Sequence, residues 1–226
     1  MLIVAIDTSG RHGSVALCRG DADSFDVIQL IPLEGGTYSA RLMPTIASLL
    51  EQNRLDKKDV DGFVVVSGPG SFTGLRVGLA TVKGLCEVLQ KPLATVSMLE
   101  AVAATCGLAG QNVTAVQDAG RGEVYVGEYE VASGATKLIR EYIAKLADFA
   151  EEAKNITSEL LTPDASVLDH LQTANVNVRA VNPVQANEIG RIGIRKLLAG
   201  DVADIASVDV NYIRRSDAEI FSAPKH

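Results

Sequence analysis

Over the first third of the chain, short apolar runs alternate with breaks marked by glycine and aspartate. Leu2–Ile6 is uninterrupted and stops at Asp7, before Thr8-Ser9-Gly10. Gly13–Cys18 alternates small and apolar residues, and Phe25–Leu33 makes a third run. Three β-branched-rich runs with such punctuation predict an antiparallel meander. The period then changes. Over Ser39–Asn53, Leu42, Ile46, Leu49 and Leu50 form one helical stripe, with Pro44 near the first turn, where a missing donor is tolerated. Phe63–Val66 predicts a buried strand running into Ser67-Gly68-Pro69-Gly70. A long helix from about Thr73 to Leu89, a short strand Leu93–Val96 and a helix from Met98 follow. A meander followed by strand, helix, strand, helix is an α/β layout with a mixed sheet. Farther along, Glu141–Lys154 reads as a charged helix, residues 155–183 carry mixed polar signals, and Val184–Leu198 reads as a last helix. The tail from Val208 ends in a polar segment expected to be loosely ordered.

The pattern repeats once. IVAIDTSGRHGSVAL from Ile3 resembles VTAVQDAGRGEVYVGEY from Val113. Each has an apolar strand ending in aspartate (Asp7, Asp118), a Gly-Arg turn (Gly10-Arg11, Gly120-Arg121) and a returning strand. The two aspartates lie 111 positions apart in 226 residues. The chain therefore reads as two related halves, 1–106 and 107–226, with a seam near Gly107–Gly110 and a C-terminal tail that can pack back on the first half.

Composition narrows the function. A formal charge of −7, from 21 basic and 28 acidic residues, argues against a free-standing binder of nucleic acid or anionic membrane. Aromatics are 4% and Trp is absent, which disfavours a base-stacking platform. Cys18, Cys86 and Cys106 read as buried thiols of a reducing, cytoplasmic compartment. His12, His170 and His226 are not at ligand spacing, so no His-rich metal site is expected. No apolar stretch approaches the ~18 residues of a membrane span, and the N-terminus reads as a strand rather than a signal peptide.

Candidate chemistry is concentrated in Ser67-Gly68-Pro69-Gly70-Ser71-Phe72-Thr73-Gly74-Leu75-Arg76. Glycines before a helix N-terminus can cradle phosphate, or they can form a tight turn with Ser71 or Thr73 as N-cap. The lysine of a Walker loop, the third glycine of a dinucleotide fingerprint and the spacing of a hydrolase elbow are each missing. Asp7 and Asp118 can be read as holding Mg²⁺ between the halves, or as capping their own turns. Glu123 and Glu128 read as solvated. On the long helix, Arg76, Lys83 and Glu87 fall within an arc of about 40°. Leu75, Leu79, Val82 and Cys86 lie on one flank and Val77, Thr81, Gly84 and Val88 on the other. The apolar arc spans roughly 220°, far more than one buried face needs. Either the helix is wholly internal or one flank meets another chain.

Asp7-Thr8-Ser9, the string SGPGSFTGLRVG at 67–78 and DAGRGEVYVGEY at 118–129 resemble the bacterial TsaB (YeaZ) family, the non-catalytic partner subunits of tRNA threonylcarbamoyladenosine (t6A) synthesis. The resemblance runs from Met1 through the second hairpin and resumes at Val210–Arg214. It implies the actin-like ATPase (sugar kinase, Hsp70) fold, with two ribonuclease-H-like halves bearing mixed sheets. In the catalytic sister, TsaD, the stretch similar to Met98-Leu99-Glu100-Ala101-Val102 carries two metal-binding histidines. Met98 and Val102 stand at those positions here, which implies no metal, no cofactor and no threonylcarbamoyl transfer by this chain alone. Tyr38-Ser39-Ala40-Arg41 departs from the family, where a histidine is common.

The resemblance further implies a scaffold that pairs with a TsaD-type catalytic subunit through the first two helices. Leu42, Met43, Ile46, Leu50, Val77, Thr81, Gly84 and Val88 are the candidate interface. A TsaE-type ATPase would complete the assembly, a homodimer would form when the chain is alone, and tRNA would be met only through the complex. Asp7, Ser9, Gly68, Gly70 and Asp118 would be a vestigial nucleotide cleft. The alternatives are an autonomous ATP-dependent enzyme of the actin-like fold and a glycoprotease-like peptidase.

Overall fold

The structure is a computed structural model that describes residues 1–106, 110–132 and 135–213. Two compact units emerge. The first comprises Met1–Ala101 and Val184–Val210, the second Val102–Pro183 with Asn211–Ile213. No described helix is long and apolar enough to cross a membrane.

The first unit opens with the expected meander: β1 (Leu2–Asp7), β2 (His12–Gly20) and β3 (Phe25–Glu34), joined antiparallel. Next come α1 (Tyr38–Gln52), β4 (Gly62–Gly68), α2 (Phe72–Leu89), β5 (Leu93–Ser97) and α3 (Met98–Ala104). Strand order is β3-β2-β1-β4-β5, with β4 parallel to β1 and β5 parallel to β4. Every residue of β1 is buried, as its continuous apolar run requires of a strand covered on both faces. On the Val65 side lies α2, with α1 beside it.

The opposite face is covered by α6 (Ala186–Leu198), seated over Ile3, Ala5, Cys18 and Val64. A Cβ on Gly193 would lie 2.3 Å from the Val64 methyls, so the helix reaches the sheet only because that position is bare. Lys196 fixes its far end, donating to Glu100 Oε2 at 2.8 Å and to the Thr95 carbonyl at 3.1 Å. Residues 184–210 thus lie with the first sheet, whereas the expected division at 106/107 counted them with the second half. The apolar face of α6 is indifferent to sequence distance, so the repeat boundary and the packing boundary need not coincide.

The second unit repeats the first. β6 (Gln111–Gly120), β7 (Glu123–Ala132) and β8 (Ala135–Lys145) form an antiparallel meander. After α4 (Leu146–Ala153), β9 (Glu159–Thr162) joins β6 in parallel, then come α5 (Ala165–Thr173) and the short β10 (Arg179–Ala180). The order β8-β7-β6-β9-β10 matches that of the first sheet. Each third strand carries a bulge, leaving Ile28 and Ile139 unpaired. These are also 111 positions apart, so the duplication extends to an irregularity of the ladder. Val116, Val124 and Val126 pack against Phe149, Val167 and Leu171 to form the core.

Two expectations fail here. Glu141–Lys145 is the end of β8, not the start of a helix. Tyr142 and Ala144 pack on the core and pair with Val126 and Val124, a period of two that outweighs the helical reading of the surrounding charges. Glu128 is half-buried rather than solvated, accepting from Arg140 at 2.6 Å. Most of the supposed seam, residues 107–109, and the tail from Arg214 lie outside the described residues.

Candidate functional site

The glycine-rich string surrounds the turn after β1. Asp7 is buried, and its Oδ1 accepts from the Ser9 amide at 2.8 Å and from Ser9 Oγ at 2.6 Å. Burial outweighs these bonds and holds its carboxyl above the ordinary aspartate range. The Ser71 amide donates to the Ser9 carbonyl at 2.6 Å, and Thr8 Oγ1 donates to the Gly74 carbonyl at 2.8 Å. A Cβ at Gly70 would lie 2.4 Å from the Ser9 carbonyl oxygen, and one at Gly74 2.0 Å from that of Thr8. At Gly78 it would meet Thr8 Oγ1 at 2.3 Å. Gly68 and Gly70 also carry φ of +132° and +156°, values that favour glycine. The glycines therefore let the start of α2 close onto the chain's own Thr8-Ser9 turn. That is the tight-turn reading, with Ser71 as N-cap accepting from the Gly74 amide at 3.4 Å.

Tyr38 completes the corner. Its hydroxyl donates to the Gly10 carbonyl at 2.7 Å, and its ring lies against Gly13 and Gly74. Burial and the neighbouring Asp7 push its phenol up to about 12. Sequence reasoning had noted Tyr38 only as a departure from a family pattern, yet Gly13 and Gly74 leave the space that an aromatic at this helix start fills.

In the second unit, Asp118 Oδ1 accepts from the Gly120 amide at 2.9 Å, capping its own turn. Asp118 is exposed, and its amide donates to Asp164 Oδ2 at 2.8 Å. Burial, and to a smaller extent the Asp118 charge, raises the Asp164 carboxyl. Asp164 follows a strand too short to announce itself, so its sequence signal was weak. Each aspartate thus accepts a hydrogen bond from an amide of its own turn, as the capping alternative expects. Among the described residues, no group of three His, Cys, Asp or Glu side chains is placed to hold a metal. Met98 and Val102 are buried.

The long helix resolves into an inner and an outer flank. Leu75, Leu79, Val82 and Cys86 are buried in the first unit's core. Val77 and Thr81 are half-buried, Gly84 is exposed and Val88 is 77% exposed. A Cβ on Gly84 would meet nothing within 4 Å. On α1 the expected set divides. Leu42, Ile46 and Leu50 point into the core, while Met43 is 47% exposed. The stripe that made α1 recognisable as a helix is its inner face, so Leu42, Ile46 and Leu50 are corrected to core positions. Ala40, Pro44 and Ala47 are exposed beside Met43, and α1 packs next to α2. The outward surface of the two helices thus consists largely of small and apolar side chains.

Residues 35–207 match the family model described as TsaD: tRNA N6-adenosine threonylcarbamoyltransferase. The chain is 29% identical over 228 residues to the tRNA threonylcarbamoyladenosine biosynthesis protein TsaB of Bacillus subtilis, covering 97% of this chain and 96% of that protein. It is 31% identical over 180 residues to the protein of the same name from Haemophilus influenzae, covering 77% and 70%. Among solved structures, YeaZ from Pseudomonas aeruginosa superposes with a TM-score of 0.70 at 22% identity, covering 92% of this chain and 98% of that one. The duplicated sheet order agrees with that likeness and with the actin-like fold. From its sequence over nearly its full length, the chain belongs to the TsaB (YeaZ) family.

Proposed function

We propose that this chain is the non-catalytic scaffold subunit of cytoplasmic t6A synthesis, pairing with a TsaD-type catalytic subunit through the outward surface of α1 and α2. One observation carries the reading. The helix flank of Val77, Thr81, Gly84 and Val88 is small and largely apolar, half-buried at Val77 and Thr81 and open at Gly84 and Val88, while Leu75, Leu79, Val82 and Cys86 on the opposite flank lie in the core. An exposed glycine within a helix costs about 1 kcal/mol relative to alanine, and no described residue fills the space above Gly84. Close approach of a second helix accounts for both facts. The contact surface on this reading is Met43, Val77, Thr81, Gly84 and Val88, with Ala40 and Ala47 beside them. A homodimer through the same surface forms when the chain is alone, and a TsaE-type ATPase and tRNA join the paired subunits.

The apolar side chains of Met98 and Val102 support a chain without its own transfer chemistry. The Asp7 turn supports the same reading, because Asp7 Oδ1 and the spaces beside Gly70, Gly74 and Gly78 are engaged by the chain itself. Purified alone, the protein is expected to hold no stoichiometric iron or zinc and to turn over neither ATP nor threonylcarbamoyl-adenylate. Elemental analysis finding about one metal per chain, or turnover abolished by Asp7→Asn, would transfer it to the enzyme class. The pairing itself is tested by sedimentation velocity with a TsaD-type subunit. The wild-type chain should run as a heterodimer and Val88→Glu as separate subunits, since an unpaired charge buried in an interface weakens a complex a hundredfold or more.

A further inference from the structure

The second unit carries a groove that the pairing surface does not use. Its volume is about 250 Å³, the liquid share of about eight waters, which suits one compact molecule. It lies at the opposite end of the strands from Asp118. Asn112 and Thr114 stand near the start of β6, and Asn155–Ser158 lead into the start of β9. Asp118 and Asp164 lie at or beyond the far ends of those strands.

The lining is polar but carries little net charge. Thr114 and Glu128 oppose each other on β6 and β7 and so share a sheet face. Arg140, opposite Glu128 on β8, donates to Glu128 Oε1 at 2.6 Å and offsets its charge. Thr114 is buried, with its hydroxyl 2.6 Å from Ser158 Oγ. Of the two hydroxyl hydrogens only one lies between these oxygens, leaving the other for another acceptor. The amides of Asn112 and Asn155 and the hydroxyl of Thr157 are at the exposed rim, and Ile139 and Ile156 supply apolar walls. Among the described residues, no lysine, arginine or histidine lines the groove to hold an anion. Tyr129, the one aromatic among the described residues of the lining, is buried with its hydroxyl on Glu141 and presents no ring face for stacking.

A set of amides, hydroxyls and one carboxylate between isoleucines matches a molecule whose polar groups each donate and accept and whose C–H face is apolar. We propose that this groove binds a neutral polyol of pentose size, as a free sugar or as the ribose of a nucleoside. The Glu128 carboxylate and the Thr114–Ser158 hydroxyl pair engage adjacent ligand hydroxyls, and Ile139 and Ile156 pack on the ring.

The test is a ¹H–¹⁵N NMR titration of the full chain with D-ribose, adenosine and inorganic phosphate. Ribose should shift the amides of residues 112–114, 128 and 155–158 and saturate in the millimolar range. Adenosine binding more tightly at the same amides would identify a nucleoside as the source, and equal affinity a free sugar. Glu128→Gln and Asn155→Ala should each weaken binding by about threefold to tenfold, with unchanged melting temperatures showing that both remain folded. The proposal is overturned if neither ribose nor adenosine shifts these amides up to their solubility. It is equally overturned if phosphate shifts them as much, or if both folded variants bind as the wild type does.

Discussion

At Gly74, a methyl group decides whether α2 can close on the turn after β1. Its Cβ would lie 2.0 Å from a backbone oxygen, which cannot retreat as a flexible side chain could. Gly74→Ala is therefore expected to lose at least about 1–3 kcal/mol of stability. Gly84→Ala, with open space above it, should gain about 0.5–1 kcal/mol in the isolated chain while weakening pairing. Urea unfolding of both variants checks the contrast, and equal losses would contradict it. Asp7 gives a second residue-scale expectation. Its folded pKa is raised by burial, so the folded state holds the proton more tightly than the unfolded chain does. Its contribution to stability therefore falls as pH rises from the unfolded value near 4 through the folded one, and the full penalty persists above that. The stability of Asp7→Asn relative to wild type should improve across that window; a gap independent of pH would refute the assignment. The sequence left Asp7 open between metal ligand and cap, because an aspartate at a strand end suits both. Hydrogen bonds from Ser9 favour the cap, which spacing alone could not do.

Elements were legible where their periodicity was long. The meander, α1, α2 and α6 were all predicted to within a few residues, and the two flanks of α2 were separated from sequence alone. Which flank faces inward was not readable, since both are apolar and the answer depends on what the sheet offers. For α1, the apolar stripe identified the helix but was then assigned to the interface as well, although one face cannot serve both. The end of β8 was missed because its partners lie on β7, outside any local window. The observed flanks yield a four-variant expectation. Leu79→Glu and Val82→Glu place a charge in the core and should unfold the first unit, whereas Thr81→Glu and Val88→Glu should melt close to wild type. Circular dichroism melts decide it, and four equally early melts would mean that the outer flank is buried too. On α6, Lys196→Met removes the ammonium partner of the largely buried Glu100 carboxylate and should cost about 1–3 kcal/mol. Adding Glu100→Gln should recover part of that loss; if it recovers none, the ion pair is not what holds the helix end.

At the scale of the molecule, duplication and packing follow different boundaries. Sheet order and bulges repeat at an interval of 111 residues, and the repeat was visible in two short strings around Asp7 and Asp118. A return of the tail to the first half was allowed by the sequence, but that of the helix within residues 184–210 was not assigned, because an amphipathic helix shows that it has an apolar face without showing which sheet that face covers. The two halves also differ in their surfaces, with the first presenting a small, apolar pair of helices and the second a polar groove. On the proposed function, the first of these surfaces pairs with a catalytic subunit. Sedimentation velocity of equimolar mixtures with a TsaD-type subunit measures this directly, comparing wild type with Val88→Glu after both have passed the same melting test. A heterodimer boundary is expected for the wild type and two separate boundaries for the variant. A folded Val88→Glu chain that pairs as tightly as the wild type would contradict it.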